Sequence, residues 1–321
     1  MISVERLKEG VLAGKAITRE EALLLYQETE LEPLCTAANE IRAHFCGDGF
    51  DLCTIINGKS GRCSENCAFC AQSAHNHTGA DEYPLLPTAA ILAEARYNEA
   101  RGVDRFSVVT AGRSLSDAEV EGLCETVQVM KRETNLSLCV SAGLLSEAQF
   151  RALHEAGITR VHNNLETSER FFPSVCTTHT FSDKVRAIRN AQAAGMEVCS
   201  GGIFGLGETT EDRIDMALAL RELDIVSVPV NILNPIQGTP LENNRILSAD
   251  EVARIVAVLR FILPDKAIRL AGGRGRLADN GHECFTGGAN ALITGDMLTT
   301  TGTTIEKDRA VIRSLGFTFR H

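Results

Sequence analysis

The sequence predicts an α/β chain: a (β/α)8 barrel of the TIM type preceded by an N-terminal helical extension. Two observations carry this. Eight short runs rich in apolar and β-branched residues alternate with helix-like stretches over about 270 residues, the size of one such barrel. Strand-helix alternation also favours a parallel sheet, because each crossover helix covers a sheet face. A doubly wound sheet is the competitor. Its phosphate-binding glycines belong after the first strand with the spacing G-x-G-x-x-G, whereas here the glycine-rich segment, residues 201–207, follows the fifth run and lacks that spacing.

Residues 1–50 form the helical extension. Thr18 and Glu21 make a capping-box pattern before the apolar residues 22–25, and residues 34–45 continue in helical style. Residues 51–321 form the barrel domain, with no linker or low-complexity segment, so the chain reads as one domain overall. Its strands are expected at 52–57, 106–111, 136–142, 160–166, 197–204, 225–233, 267–273 and 290–296. Helices are expected at 89–101, 117–133, 147–156, 183–194, 211–223, 249–261, 277–286 and 305–315. Gly157 and Gly195 supply helix stops before the next strand. In such a barrel the chemistry gathers at the C-terminal ends of the strands.

Composition excludes several classes. Lys and Arg total 32 against 42 Asp and Glu, a net charge of −10, which disfavours sequence-independent nucleic-acid binding. No apolar run approaches the roughly 20 residues that span a bilayer. The first ten residues lack the apolar core of a signal peptide, so a cytoplasmic location is expected. In that reducing compartment eleven cysteines are not a disulfide framework, and each is either a small buried apolar residue or a metal ligand. Cys35, Cys124, Cys176 and Cys284 have no informative neighbours and read as buried apolar residues.

Cys63, Cys67 and Cys70 are different. The spacing Cys-x3-Cys-x2-Cys, on the loop after the first strand, brings three thiolates together at the active-site end. Iron–sulfur cubes ordinarily take four protein thiolates, so three leave one iron with an open position. A structural zinc site is the alternative, with His75 and His77 near enough to serve as a fourth ligand.

This spacing, with the aromatic Phe69 before the last cysteine, resembles the signature of the radical S-adenosylmethionine (AdoMet) superfamily. Four strings in order, over residues 63–73, 198–209, 238–241 and 288–290, are similar to the biotin synthase family within it. The resemblance implies that Cys63, Cys67 and Cys70 hold a [4Fe-4S] cluster whose fourth iron is chelated by AdoMet. Its one-electron cleavage would yield a 5′-deoxyadenosyl radical that takes hydrogen from dethiobiotin, with sulfur drawn from a second cluster inside the barrel. It places Asn164 and Glu166 at AdoMet and substrate, and a carboxylate accepting from ribose hydroxyls is sound chemistry. Lys184 stands where the family tends to carry an Arg for the methionine carboxylate; Lys keeps the charge and loses the bidentate fork. Asn231 matches a contact to the ureido ring, and Thr300 and Thr301 match a loop holding the substrate carboxylate. Gly202, Gly205 and Glu208 fall in the coenzyme segment, where glycines let backbone approach a nucleotide-sized ligand. The family further implies flavodoxin or ferredoxin as electron donor and a homodimer. Another radical AdoMet barrel, of maturase or mutase type, and a non-catalytic iron–sulfur carrier are the competing readings.

One departure stands out. The family's auxiliary [2Fe-2S] cluster has three cysteines and an arginine, to which Cys139, Cys199 and Arg269 correspond, but Ser107 stands where the third cysteine is expected. A hydroxyl is a far poorer iron ligand than a thiolate. Cys53, on the first strand, is expected to take its place, since strands one, three, five and seven alternate into common layers of a barrel interior. The relocated ligand admits a four-iron auxiliary cluster. Cys46 is the reserve candidate.

Overall fold

The computed structural model describes residues 3–298 and 302–319. Eight strand positions close into one parallel barrel: β1 (Gly49–Lys59), β2 (Arg105–Thr110), β3 (Ser137–Ser141), β4 (Arg160–His162), β5 (Glu197–Cys199) with β6 (Gly202–Phe204), β7 (Ser227–Ile232), β8 (Ala267–Leu270) and β9 (Ala291–Ile293), with β9 returning to pair with β1. A last short strand, β10 (Thr318–Phe319), extends the start of β1 beyond the barrel, with Gly49 opposite Thr318.

The fifth strand is two pieces because of Pro229. β5 joins β7 through Cys199 opposite Ser227, and β6 rejoins it at Gly202 opposite Val230. Between these registers Pro229 has no N–H to give the ladder. Gly201 fills the gap by backbone approach, since a Cβ there would lie 2.0 Å from the Pro229 carbonyl oxygen. Gly201→Ala is therefore expected to cost about 1–3 kcal/mol through overpacking, read as a lower urea midpoint of the cluster-free chain.

Outside the barrel run α4 (Thr88–Glu99), α5 (Asp117–Glu133), α6 (Glu147–Ala156), α7 (Phe181–Ala193), α8 (Thr210–Glu222), α9 (Ala249–Ile262), α10 (His282–Thr286) and α11 (Ile305–Ser314). Ser116, Ser146, Thr180, Thr209 and Ser248 each close a capping box, so five barrel helices start where local sequence dictates. The helix expected at 277–286 shrinks to the five residues of α10. Asn280 and Gly281, within that span, have φ of 52° and 83°, a left-handed conformation that a continuous helix cannot contain.

Ahead of β1 lie α1 (Val4–Leu12), α2 (Arg19–Glu28) and α3 (Leu31–Cys46). α3 lies along α9, and α2 along α8 and α9. This covering explains why α9 is buried on nearly every side: residues from Val252 to Ile262 are almost all buried, Arg260 included, between the barrel wall on one side and the extension on the other. Arg19 ties the two parts by paired hydrogen bonds to Asp215, at 2.6 and 3.0 Å. Cys46 ends α3 on the outer side of the barrel, with Arg260 Nη1 donating to its Sγ at 3.4 Å. It does not line the barrel cavity, so the reserve candidate drops out.

Candidate active site

The cysteine loop follows β1 at the C-terminal end of the barrel and is held by its own backbone. Cys63 N donates to Gln72 O (3.0 Å) and Ala74 N to Cys63 O (2.8 Å), while Asn76 Nδ2 donates to the carbonyls of Cys67 and Cys70. A second loop braces it. Gly238 packs so closely that a Cβ would lie 2.1 Å from His77 O, and its φ of +85° is open to glycine. Cys63, Cys67 and Cys70 are all half-buried free thiols, and Phe69 between them lines the barrel mouth. His75 and His77 are both exposed, and neither joins a cysteine in a metal-sized group among the described residues.

Beneath the loop lies a cavity within the barrel. Cys53, Cys139, Cys199 and Arg269 all line it, together with Ser107 and the arginines Arg105 and Arg160. Register explains the arrangement: Cys53 stands opposite Arg105, and Ser107 opposite Cys139, which stands opposite Arg160. All three cysteines are buried. Burial pushes the Cys53 thiol up to about 12, against the pull of nearby Arg269, and raises Cys139 as well.

Three guanidiniums share one carboxylate at the cavity floor. Arg269 Nη2 lies 2.6 Å from Asp51 Oδ1, with Arg160 and Arg105 at 3.7 and 4.0 Å from Oδ2. Burial alone would raise the Asp51 carboxyl, yet Arg269, Arg105 and Arg160 outweigh it and hold the group well below the usual carboxylate range. Arg105 Nε and Nη1 are buried without a hydrogen-bond partner. A buried surplus of cationic donors beside three thiols is the donor set an anionic iron–sulfur cluster requires, and the residues fit one. Sequence reasoning missed Arg105, Arg160 and Asp51, although a charged residue at or just before the start of each of three predicted strands was the available signal.

Glu166 supplies the other fit. Its backbone adopts a φ of 70°, and its Oε2 is buried with no hydrogen-bond partner. Burial raises its pKa, with Lys184 opposing. A carboxylate held this way needs a donor, which the hydroxyls of a ribose provide. Asn164 Oδ1 accepts from Gly201 N (3.1 Å) and from His162 Nε2 (2.9 Å). Burial pushes the His162 ring down to about 4, so it is neutral and Nε2–H is the donor, because an amide oxygen only accepts.

Other expected contacts are engaged with the protein itself. Asn231 lines the cavity while its amide bridges β6 and the segment after β8, donating to Gly202 O and accepting from Gly272 N, each at 3.1 Å. Lys184 Nζ donates to Asn163 Oδ1 at 3.2 Å. The Glu208 carboxylate accepts from the amides of Gly205 and Gly207 and pairs with Arg213, which makes it the closure of its own turn. Gly202 is small for a protein reason, since a Cβ would lie 2.3 Å from Met216 Sδ. Gly205, with φ of +99°, shapes that turn. Thr300 and Thr301 lie outside the described residues.

Comparison with known proteins closes the question of family. The Radical SAM superfamily model matches residues 59–220, and the Biotin and Thiamin Synthesis associated domain model matches residues 229–318. The chain is 56% identical to biotin synthase 2 of Corynebacterium diphtheriae, over 98% of this chain and 96% of the relative. It is 54% identical to biotin synthase of Brachyspira hyodysenteriae, over 98% and 95%. Among solved structures, methylornithine synthase superposes with a TM-score of 0.85 at 23% identity, covering 98% of this chain and 97% of the other. An FeFe-hydrogenase maturase from Carboxydothermus hydrogenoformans reaches 0.82 at 18% identity, over 98% and 79%; both likenesses speak for the barrel fold alone. Through its curated relatives, of which it spans nearly the full length, the chain belongs to the biotin synthase family of radical AdoMet enzymes.

Proposed function

We propose that this barrel converts dethiobiotin to biotin, with AdoMet bound at its mouth and an auxiliary cluster in its interior. The observation that carries the reading is the stacking of two thiol sets in one barrel: Cys63, Cys67 and Cys70 on the loop at the C-terminal end, and Cys53, Cys139 and Cys199 around the cavity below. The first set would hold the [4Fe-4S] cluster and the second, with Arg269, the auxiliary one. When bound, the loop cluster with AdoMet would supply hydrogen abstraction, and the auxiliary cluster would supply sulfur.

The chain's own residues do the rest. Glu166 accepts from the coenzyme ribose, and Asn164, locked by His162 and Gly201, fixes the adjoining strand end. Lys184 supplies a point charge for the methionine carboxylate. Phe69 and Ile203 give the mouth an apolar wall that limits water at the reacting carbons. Asn231 sets the width of the mouth by tying β6 to the segment that follows β8, and the substrate occupies the space between it and the cavity arginines. A low-potential flavodoxin or ferredoxin delivers the electron, and the chain works in the cytoplasm as a homodimer. No helix among the described residues is long and apolar enough to cross a membrane.

Anaerobic reconstitution, then incubation with dethiobiotin, AdoMet and a low-potential donor, is expected to yield biotin and 5′-deoxyadenosine together. Deoxyadenosine formation that dethiobiotin does not stimulate would sink the substrate assignment. Glu166→Gln keeps the shape and removes the charge-assisted acceptor. It is expected to raise the KM for AdoMet about tenfold, the roughly 1.4 kcal/mol of one such bond, with less effect on kcat.

A further inference from the structure

Cys176, read from sequence as an ordinary buried cysteine, lies against the cysteine loop. Asn66 stitches the two segments: its N donates to Thr178 Oγ1 (3.1 Å), its Nδ2 to Thr177 Oγ1 (2.6 Å), and its Oδ1 accepts from the amides of Thr177 and Thr178. Ala68 N adds a bond to Val175 O at 2.9 Å. As a result Cys67 Sγ, Cys176 Sγ and a ring nitrogen of His179 all lie within 4.8 Å of one another.

The surroundings suit a cation. Cys176 Sγ is 3.3 Å from His179 Nδ1, which also contacts Glu65 Oε2 at 2.6 Å. The His179 side chain is only 5% exposed, and its Nε2 is buried with no hydrogen-bond partner. Two thiols and an imidazole are the donor set of a tetrahedral zinc site, with Cys176 and His179 at the Cys-x2-His spacing on one segment and Cys67 supplied by the facing loop. Glu65 holds the ring at Nδ1, as outer carboxylates orient metal-binding histidines through the nitrogen that does not ligate, and the unpartnered Nε2 is left for the metal.

We propose that, when the loop lacks its iron–sulfur cluster, Cys67, Cys176 and His179 bind one thiophilic divalent cation such as Zn2+, with water as the fourth ligand. Coordination releases the thiol protons to solvent. The site itself is independent of the function proposed above. One consequence rests on that reading: Cys67 belongs to both ligand sets, so zinc and the [4Fe-4S] cluster exclude each other, and zinc holds the loop until a chelator removes it.

The test uses the full-length chain stripped of iron, titrated anaerobically with Co2+ and then with Zn2+ against a chromophoric chelator. One equivalent is expected to give tetrahedral cobalt bands with thiolate charge transfer. Cys176→Ala and His179→Gln are each expected to weaken Zn2+ by about 100-fold or more, since even an outer-shell partner is worth 10–100-fold. Cys63→Ala and Cys70→Ala should stay within about threefold of the parent. Chemical unfolding of each variant checks that the fold survives, and the two changes on the Cys176 segment are independent of each other. Prior zinc loading should block uptake of the loop cluster until a chelator is added. Absent thiolate–cobalt bands, or losses in Cys63→Ala and Cys70→Ala as large as in Cys176→Ala, would overturn the proposal. None of these readouts depends on turnover, so failure of the biotin-forming reaction leaves them interpretable.

Discussion

Cys53→Ala is expected to lose the auxiliary cluster and, with it, biotin formation, while keeping the loop cluster and AdoMet binding. The change deletes one buried sulfur from the middle of β1, ten residues before Cys63, and leaves the hydrogen bonds that shape the cysteine loop untouched. Ser107 stays in the cavity opposite Cys139 but cannot substitute, because a neutral hydroxyl is a poor ligand for iron. Iron and sulfide per chain should fall by the whole auxiliary content, its Mössbauer component should vanish, and biotin yield should drop by at least about 100-fold, beyond what an outer-shell change costs. Adding Ser107→Cys to Cys53→Ala should restore part of the auxiliary iron by returning a third thiol to the cavity. An unchanged auxiliary signal in Cys53→Ala would remove Cys53 from the ligand set.

Asp51→Ala is expected to be the most destabilising single change in the barrel floor. It strips the shared carboxylate from Arg269, Arg105 and Arg160, whose side chains are 2%, 9% and 11% exposed. Breaking a buried ion pair by removing one partner costs about 3–5 kcal/mol, because the remaining charge stays desolvated. Urea unfolding of the cluster-free chain at neutral pH reads this directly. The pH dependence has a defined sign. The Asp51 carboxyl titrates well below its unfolded value near pH 4, so its stabilisation is complete above about pH 4 and is lost as pH falls through the lowered native value. The parent should therefore lose stability on acidification below about pH 4 more steeply than Asp51→Ala. A reconstituted variant should recover part of the deficit, since an anionic group in the cavity supplies counter-charge to the same arginines. Equal acid slopes in the two chains would mean that Asp51 does not carry this term.

Much of the molecule was legible locally. Capping residues such as Ser116 with Glu119 and Ser248 with Glu251 mark helix starts within one turn, and the apolar runs mark the barrel strands, because both signals are carried by residues close in sequence. The same holds for Cys63, Cys67 and Cys70: three cysteines on one short loop announce themselves by spacing. The family resemblance, with the layering of odd-numbered strands in a barrel interior, was also enough to anticipate that Cys53, Cys139, Cys199 and Arg269 would line one cavity.

What depended on pairing between distant segments was not legible. The break in the fifth strand comes from Pro229 on its neighbour, and the smallness of Gly202 from Met216. The balance of Arg105, Arg160 and Arg269 against Asp51 needs four strands brought round one closed barrel. Cys176 acquires meaning only when Asn66 draws its segment against Cys67, more than a hundred residues away. Local propensity and spacing are determined by residues within a turn or two, so the sequence alone determined the barrel and its cysteine loop. Burial, counter-charge and close approach are set by whichever side chain arrives from elsewhere in the chain, so only the closed barrel decided which polar groups are left unpartnered and which cysteines stand within reach of a metal.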